Sequence, residues 1–276
     1  YVQPRDDELW LINTHIASLL AEGSVSWVSF GDRLMEFPTA LLGVALGTVL
    51  LPSLSKARAE NATERYSEML DWGLRLSVLL AVPCMIGLAA LAEPLTALLF
   101  HYGRFTAEDV EMTRRAVLGY SIGLLGLIGV KVLAPGFYAQ LDVRTPVKIA
   151  VTVLVLTQVM NIIFVPLFAH AGLAVSISLG ASLNALLLLV GLRRRRSYTP
   201  RPGWPRFALQ VAVAAGAMTA LLLWAEPRFD WIALQATPFR RIGLVLGLVV
   251  AAAAVYLVAL LAVGIRPRQF LRREEA

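Results

Sequence analysis

Three ionisable residues stand together in Gly31-Asp32-Arg33-Leu34-Met35-Glu36-Phe37-Pro38, inside an otherwise apolar stretch of chain. Asp32 and Glu36 are four apart, so on a helix they share a face, and Arg33 precedes Glu36 by three residues. A guanidinium's planar fork pairs with phosphate oxygens two at a time, and flanking carboxylates hold it in position. The same residues would also serve as an interfacial cap whose arginine reaches back to lipid headgroups. Spacing does not choose between these roles. Lys131 lies deep in the apolar run 116–138, where its stem reaches only part of the way to an interface. It therefore faces a cavity or pairs with a carboxylate or carbonyl inside a bundle. Gln158 and Asn161 are three apart on one helix face; with Asn13 they offer amide oxygens of the kind a hard cation such as sodium accepts. Interhelical hydrogen bonding is the other reading of those amides.

These groups matter because of the solvent that the rest of the chain implies. It has 276 residues, 58% hydrophobic and 16% charged, with mean hydropathy +0.68. Soluble domains carry about 25% charged residues and are about 45–50% apolar. The apolar residues suffice for roughly eight spans of about 20 residues. An ordinary cytosolic enzyme, a disordered chain and a disulfide scaffold are excluded, the last because Cys84 is the single cysteine. Catalytic signatures are thin. His15, His101 and His170 fall in no His-x-x-x-His pattern, glycine-rich nucleotide loops are absent, and no nucleophile–base pair is evident. The expectation is a protein that is not an enzyme.

Eight apolar segments cover 9–30, 34–54, 74–92, 116–138, 149–168, 171–192, 207–225 and 242–265. Backbone polar groups find no water in hydrocarbon, so runs of this length are helices, and the fold class is an all-α polytopic membrane bundle. If the N-terminus is cytoplasmic and every segment crosses, seventeen Lys and Arg fall on the inner side and seven, Arg33 among them, on the outer. That asymmetry predicts both ends of the chain on the cytoplasmic side. The net charge of +6 is thus a topology signal, and Arg193 to Arg196 read as a headgroup anchor rather than a nucleic-acid site. Gly43/Gly47, Gly119/Gly123 and Gly243/Gly247 are small-residue pairs that let helices approach closely. Pro83, Pro135 and Pro166 are expected to kink their spans or break their hydrogen-bond ladders. Tyr1 opens the chain with no basic leader, and the expectation is a C-terminal part of a longer protein.

Several strings then become recognisable together: Gly23–Trp27 (GSVSW), Asp32–Pro38 (DRLMEFP), Leu42–Thr48 (LGVALGT), Lys131–Tyr138 (KVLAPGFY) and Thr145–Lys148 (TPVK). In this order they resemble the C-terminal part of the MurJ/MviN lipid II flippase family, within the multidrug/oligosaccharidyl-lipid/polysaccharide exporter superfamily. The last two spans match more by position and composition than by motif. The resemblance implies fourteen transmembrane helices in two six-helix lobes plus an extra pair. Residues 1–192 would then be the second lobe, 193–206 a basic cytoplasmic loop, and 207–276 the extra helices and tail. It further implies a bacterial inner-membrane protein moving a lipid-linked diphosphate-sugar, the peptidoglycan precursor, from inner to outer leaflet by alternating access. Arg33 matches the cavity arginine of the second lobe, with Asp32 and Glu36 the carboxylates beside it. The last two helices would border a groove for the lipid tail. Partners would be that substrate, membrane lipids and the first lobe of the same protein, with no nucleic acid. No cofactor is implied beyond sodium or membrane-potential coupling. A cation-coupled drug exporter of the same superfamily, a non-transporting cell-wall scaffold and a lipid-carrier transferase are the competing readings.

Overall fold

The computed structural model describes residues 13–265. Arg5, the first four residues of the segment 9–30, and the basic tail from residue 266 lie outside the described residues. Within them, residues 13–18 are helical, and then eight helices follow: α1 (Ser24–Ala59), α2 (Thr63–Ala90), α3 (Ala92–Phe100), α4 (Ala107–Tyr138), α5 (Arg144–Phe168), α6 (His170–Arg194), α7 (Trp204–Ala225) and α8 (Pro238–Ala262). Seven of the eight, all but the short α3, are long and apolar enough to cross a membrane.

The first boundary departs from the expectation. The charged stretch at residues 31–33 was read as the break between two spans, but the chain turns earlier, at residues 19–23, where Gly23 takes φ +95°. α1 then runs unbroken through Gly31, Asp32 and Arg33 for 36 residues, about 54 Å at 1.5 Å per residue. Gly31 is not a turn residue. A β-carbon there would lie 3.1 Å from Ala116 Cβ and 3.3 Å from the Tyr120 ring, so its role is close approach to α4. Arg33 therefore belongs to a helix and not to an outer loop. Pro83, Pro135 and Pro166 likewise sit within helices that continue past them.

α4 is the centre of the bundle, packed by α1, α2, α3 and α6, with Ala116, Leu124, Ile128 and Val132 fully buried. Its glycines form a seam against α6. A β-carbon on Gly119 would meet Ala174 Cβ at 2.9 Å, one on Gly126 would meet the Ser182 backbone at 2.6 Å, and one on Gly123 would run into the backbone of Ser178. The Ser178 hydroxyl donates to Gly119 O at 2.8 Å across the same seam. Small residues here replace side-chain packing with backbone contact, as membrane bundles require when lipid is as apolar as the core. The other pairs behave differently. Gly43 is covered by Lys131, while Gly47, Gly243 and Gly247 have no side chain or neighbouring backbone within 4 Å of a β-carbon.

α7 and α8 pack against each other, and the pair packs on α2 and α3 through Leu79, Leu91, Met218, Leu222, Tyr256 and Leu260. Tyr256 donates to Leu79 O at 2.8 Å. The linker from α6 is held by α2. Asp71, 2% exposed, accepts from Tyr198 Oη at 2.8 Å, Trp204 Nε1 at 2.8 Å, Arg201 N at 3.2 Å and Arg75 Nε at 2.8 Å. Arg201 pairs with Glu68, and Ser67 exchanges hydrogen bonds with the backbone of Thr199.

Candidate functional site

Asp32, Arg33 and Glu36 occupy the third and fourth turns of α1. At 100° per residue the exposed positions Arg33, Glu36, Phe37, Ala40 and Leu41 fall on one side of the helix, with Arg33 near the centre of that side. Leu34, Met35, Leu46 and Leu50 fill the opposite side and are buried against the bundle. Arg33 and Glu36 are exposed and Asp32 is half-buried. In this chain Arg33 thus stands on an open helix face, and a chamber around it needs a second body opposite α1.

Lys131 joins the same region from α4. Its stem lies directly over Gly43, the position on α1 where a β-carbon would collide with Lys131 Cδ. Glu36 and Gly43 are seven residues apart, two turns on one face, about 10 Å along the axis. Lys131 is exposed and, among the described residues, has no carboxylate partner. The structure thus places it on an open face, which is neither the enclosed cavity nor the carboxylate pair expected from the sequence. Arg33, Glu36 and Lys131 border one surface of α1 and α4, a set of two cations and a carboxylate suited to an anionic group.

Asn13, Gln158 and Asn161 are brought together from positions up to 148 residues apart. Asn161 Nδ2 donates to Asn13 Oδ1 and to Gln158 Oε1, each at 3.1 Å. The cluster ties the helix at residues 13–18 to α5. Two of its amide oxygens already accept from Asn161, leaving Asn161 Oδ1 as a buried acceptor without a partner. A hard cation takes six or more oxygens, usually including carboxylates. No group of three His, Cys, Asp or Glu among the described residues is placed to hold a metal. In this structure the amides bond to one another, which is the interhelical reading, and no step is derived through a cation there.

Sequence reasoning missed the Asp71 hub. Its signal was present as Asp71 and Arg75 four apart at the mouth of an apolar run, facing a Pro-Arg-Pro-Gly-Trp linker 130 residues away. A second omission is the clamp between Asp142 and Arg195, 2.6 Å apart. Asp142 accepts from Thr145, and with Arg195 close by its carboxyl is held at about 2, below the ordinary carboxylate range.

The helices, seven of them long and apolar enough to cross a membrane, define an all-α polytopic membrane protein. The family model for the lipid II flippase MurJ matches residues 10–239. The lipid II flippase MurJ of Burkholderia cenocepacia is 53% identical over 263 residues, covering 95% of this chain and 51% of that protein. A probable lipid II flippase MurJ from Vibrio cholerae is 38% identical, covering 93% and 49%. A solved structure of lipid II flippase MurJ in an inward closed conformation superposes with TM-score 0.71 at 20% identity, over 92% of this chain and 52% of that one. The chain belongs to the MurJ lipid II flippase family. It spans about half the length of the curated relatives it matches.

Proposed function

We propose that this chain is the half of a lipid II flippase that presents Arg33 to the diphosphate of the lipid-linked precursor. The observation that carries the reading is Arg33 at the centre of the open face of α1, with Glu36 on that face and Lys131 laid over Gly43 beside it. A guanidinium there meets phosphate oxygens in its bidentate fork, while Asp32 and Glu36 orient it and ease release. The first lobe of the same protein closes the other side of the chamber. Rocking of the two lobes then carries the headgroup across while the isoprenoid tail stays in lipid. No bond is made or broken, so the activity is transport and not catalysis. The membrane is the bacterial inner membrane, and both ends of the chain are cytoplasmic, as the excess of Lys and Arg on that side supports. Moving charge through the membrane potential, about 2.3 kcal/mol per unit charge per 100 mV, biases the cycle.

The test is complementation by the full-length protein carrying Arg33→Ala in cells depleted of their own flippase. Loss of growth at normal expression is expected, with Arg33→Lys recovering only part because it keeps the charge and loses the fork. Normal growth with Arg33→Ala removes this residue from the mechanism.

A further inference from the structure

α2 and α6 do not meet over α4. Between them lies an apolar crevice of about 710 Å³, floored by Leu125, Gly129 and Leu133 of α4 and walled by Val78 of α2 and Leu186 of α6. That volume is within the range of about 300–1,000 Å³ that holds a drug-sized ligand. Three hydroxyls line it, and all are already engaged: Ser77 donates to Gly73 O at 2.8 Å, Ser182 to Ser178 O at 2.9 Å and Tyr198 to Asp71 Oδ1 at 2.8 Å. The interior therefore offers hydrocarbon and no free hydrogen-bonding group.

The crevice is separate from the charged face. On α4, Gly129 and Leu133 are each about 160° around the helix from Lys131, so they point to its far side. It also runs to the other end of the lobe. Gly31 is level with Ala116, and Gly119 with Ala174, which puts Arg33 near the start of α6. Arg193, at the crevice mouth, is 19 residues beyond Ala174, about 28 Å along the axis. A headgroup on Arg33 cannot also rest on Arg193.

The mouth is charged in one direction. Arg195 is paired with Asp142 and Arg201 with Glu68, but Arg193 is exposed and has no carboxylate partner among the described residues. The loop that closes this end, with Tyr198 and Trp204, is fastened to α2 by Asp71. An elongated apolar slot ending at an unpaired guanidinium matches a molecule with a hydrocarbon chain and an anionic head. We propose that this crevice seats one acyl chain of an anionic phospholipid, its phosphate on Arg193.

The test uses the full-length protein in vesicles of phosphatidylethanolamine and phosphatidylglycerol, with a photoreactive acyl chain carried on either phosphatidylglycerol or phosphatidylcholine. Phosphatidylglycerol is expected to label segments 122–133 and 182–193 preferentially, labelling elsewhere on the protein serving as the internal reference. Arg193→Gln lowers phosphatidylglycerol labelling there about fivefold, the worth of one basic residue at an anionic surface, and leaves phosphatidylcholine labelling unchanged. Leu186→Trp, at a half-exposed wall position, fills the slot and lowers labelling by both. Equal labelling by the two headgroups in the unaltered protein, or no loss with Arg193→Gln, marks ordinary lipid contact and overturns the proposal. Displacement of the label by added undecaprenyl diphosphate but not by unlabelled phosphatidylglycerol assigns the slot to an isoprenoid tail and overturns it equally.

Discussion

Lys131 of α4 crosses α1 at Gly43, where the missing β-carbon is what makes room for its stem. The pairing explains how a lysine this far into an apolar helix is accommodated. Its methylenes pack on glycine backbone, and its ammonium is delivered to the open side of α1 on which Glu36 also stands. One small residue thus sets where a positive charge appears.

Gly43→Ala separates positioning from stability. Alanine is the better helix former by about 1 kcal/mol, and the obstacle it meets is a flexible side chain, so the thermal midpoint should hold or rise slightly. The Lys131 stem must leave its track. Complementation by the full-length protein is expected to fall while membrane levels stay normal, and Lys131→Met should give the same growth defect. Full growth with both variants would make the crossing a packing detail.

The two kinds of glycine pair should respond oppositely to enlargement. Gly123→Val drives a side chain into the backbone of Ser178 and must separate α4 from α6, a loss of about 1–3 kcal/mol or more. Gly247→Ala meets nothing within 4 Å and should change stability by no more than about 0.5 kcal/mol. Thermal unfolding in detergent, read as tryptophan fluorescence, distinguishes them. Similar midpoints for the two variants would contradict the α4–α6 seam.

These glycines also show what was legible in the sequence. Length and hydropathy mark a span because hydrocarbon leaves the backbone no alternative to a helix, and so the seven long helices were readable in advance. The partner of a glycine is a matter of tertiary placement, and Gly119/Gly123 and Gly243/Gly247 look alike in one dimension. Asp32, Arg33 and Glu36 were found because their charge is costly in an apolar run. The same cost made them look like a loop, whereas the turn lies at Gly23, where a left-handed residue is what breaks the helix. Asn13 and Asn161 were singled out by residue type, and the fold joined them as a tie between helices. Asp71 escaped notice because its partners are a linker more than 120 residues downstream.

Asp142 gives a pH-dependent feature outside the spans. Its carboxyl, bonded to Thr145 and beside Arg195, is held at about 2 in the folded chain against an ordinary 3.8. A depressed acid contributes stability that is fully present above its unfolded value and is lost as pH falls through the folded one. The turn between α4 and α5 should therefore hold at pH 5 and loosen between about pH 4 and pH 2. Hydrogen exchange at the Thr145 amide, normalised to the intrinsic rate, reads this directly. Asp142→Asn should exchange faster at pH 5 and lose the pH response; an unchanged profile would show that the clamp is not set by this carboxylate.

Asp71 carries the sharpest stability prediction. It is almost fully buried and takes donors from Tyr198, Trp204, Arg75 and the backbone of Arg201, while Arg75 lies 5.2 Å from the Trp204 ring centre and also donates to Pro202 O at 3.1 Å. Burial pushes the Tyr198 phenol up, and its bond to Asp71 adds to this, so it remains a donor throughout the accessible pH range. Removing the carboxylate strands a partly buried guanidinium and two aromatic donors together, and breaking such a pair costs about 3–5 kcal/mol. Asp71→Ala should lower the thermal midpoint markedly and open the 195–203 linker to limited proteolysis, because that linker connects α6 to the α7–α8 pair through this hub. Asp71→Asn keeps the shape and one acceptor and should lose less. Arg75→Met removes one donor and its stacking but leaves Asp71 bonded to Tyr198 and Trp204, so its loss should be smaller than that of Asp71→Ala. If Arg75→Met proves as damaging as Asp71→Ala, the linker is held by the arginine's stacking on Trp204 and Phe207 and not by the buried carboxylate.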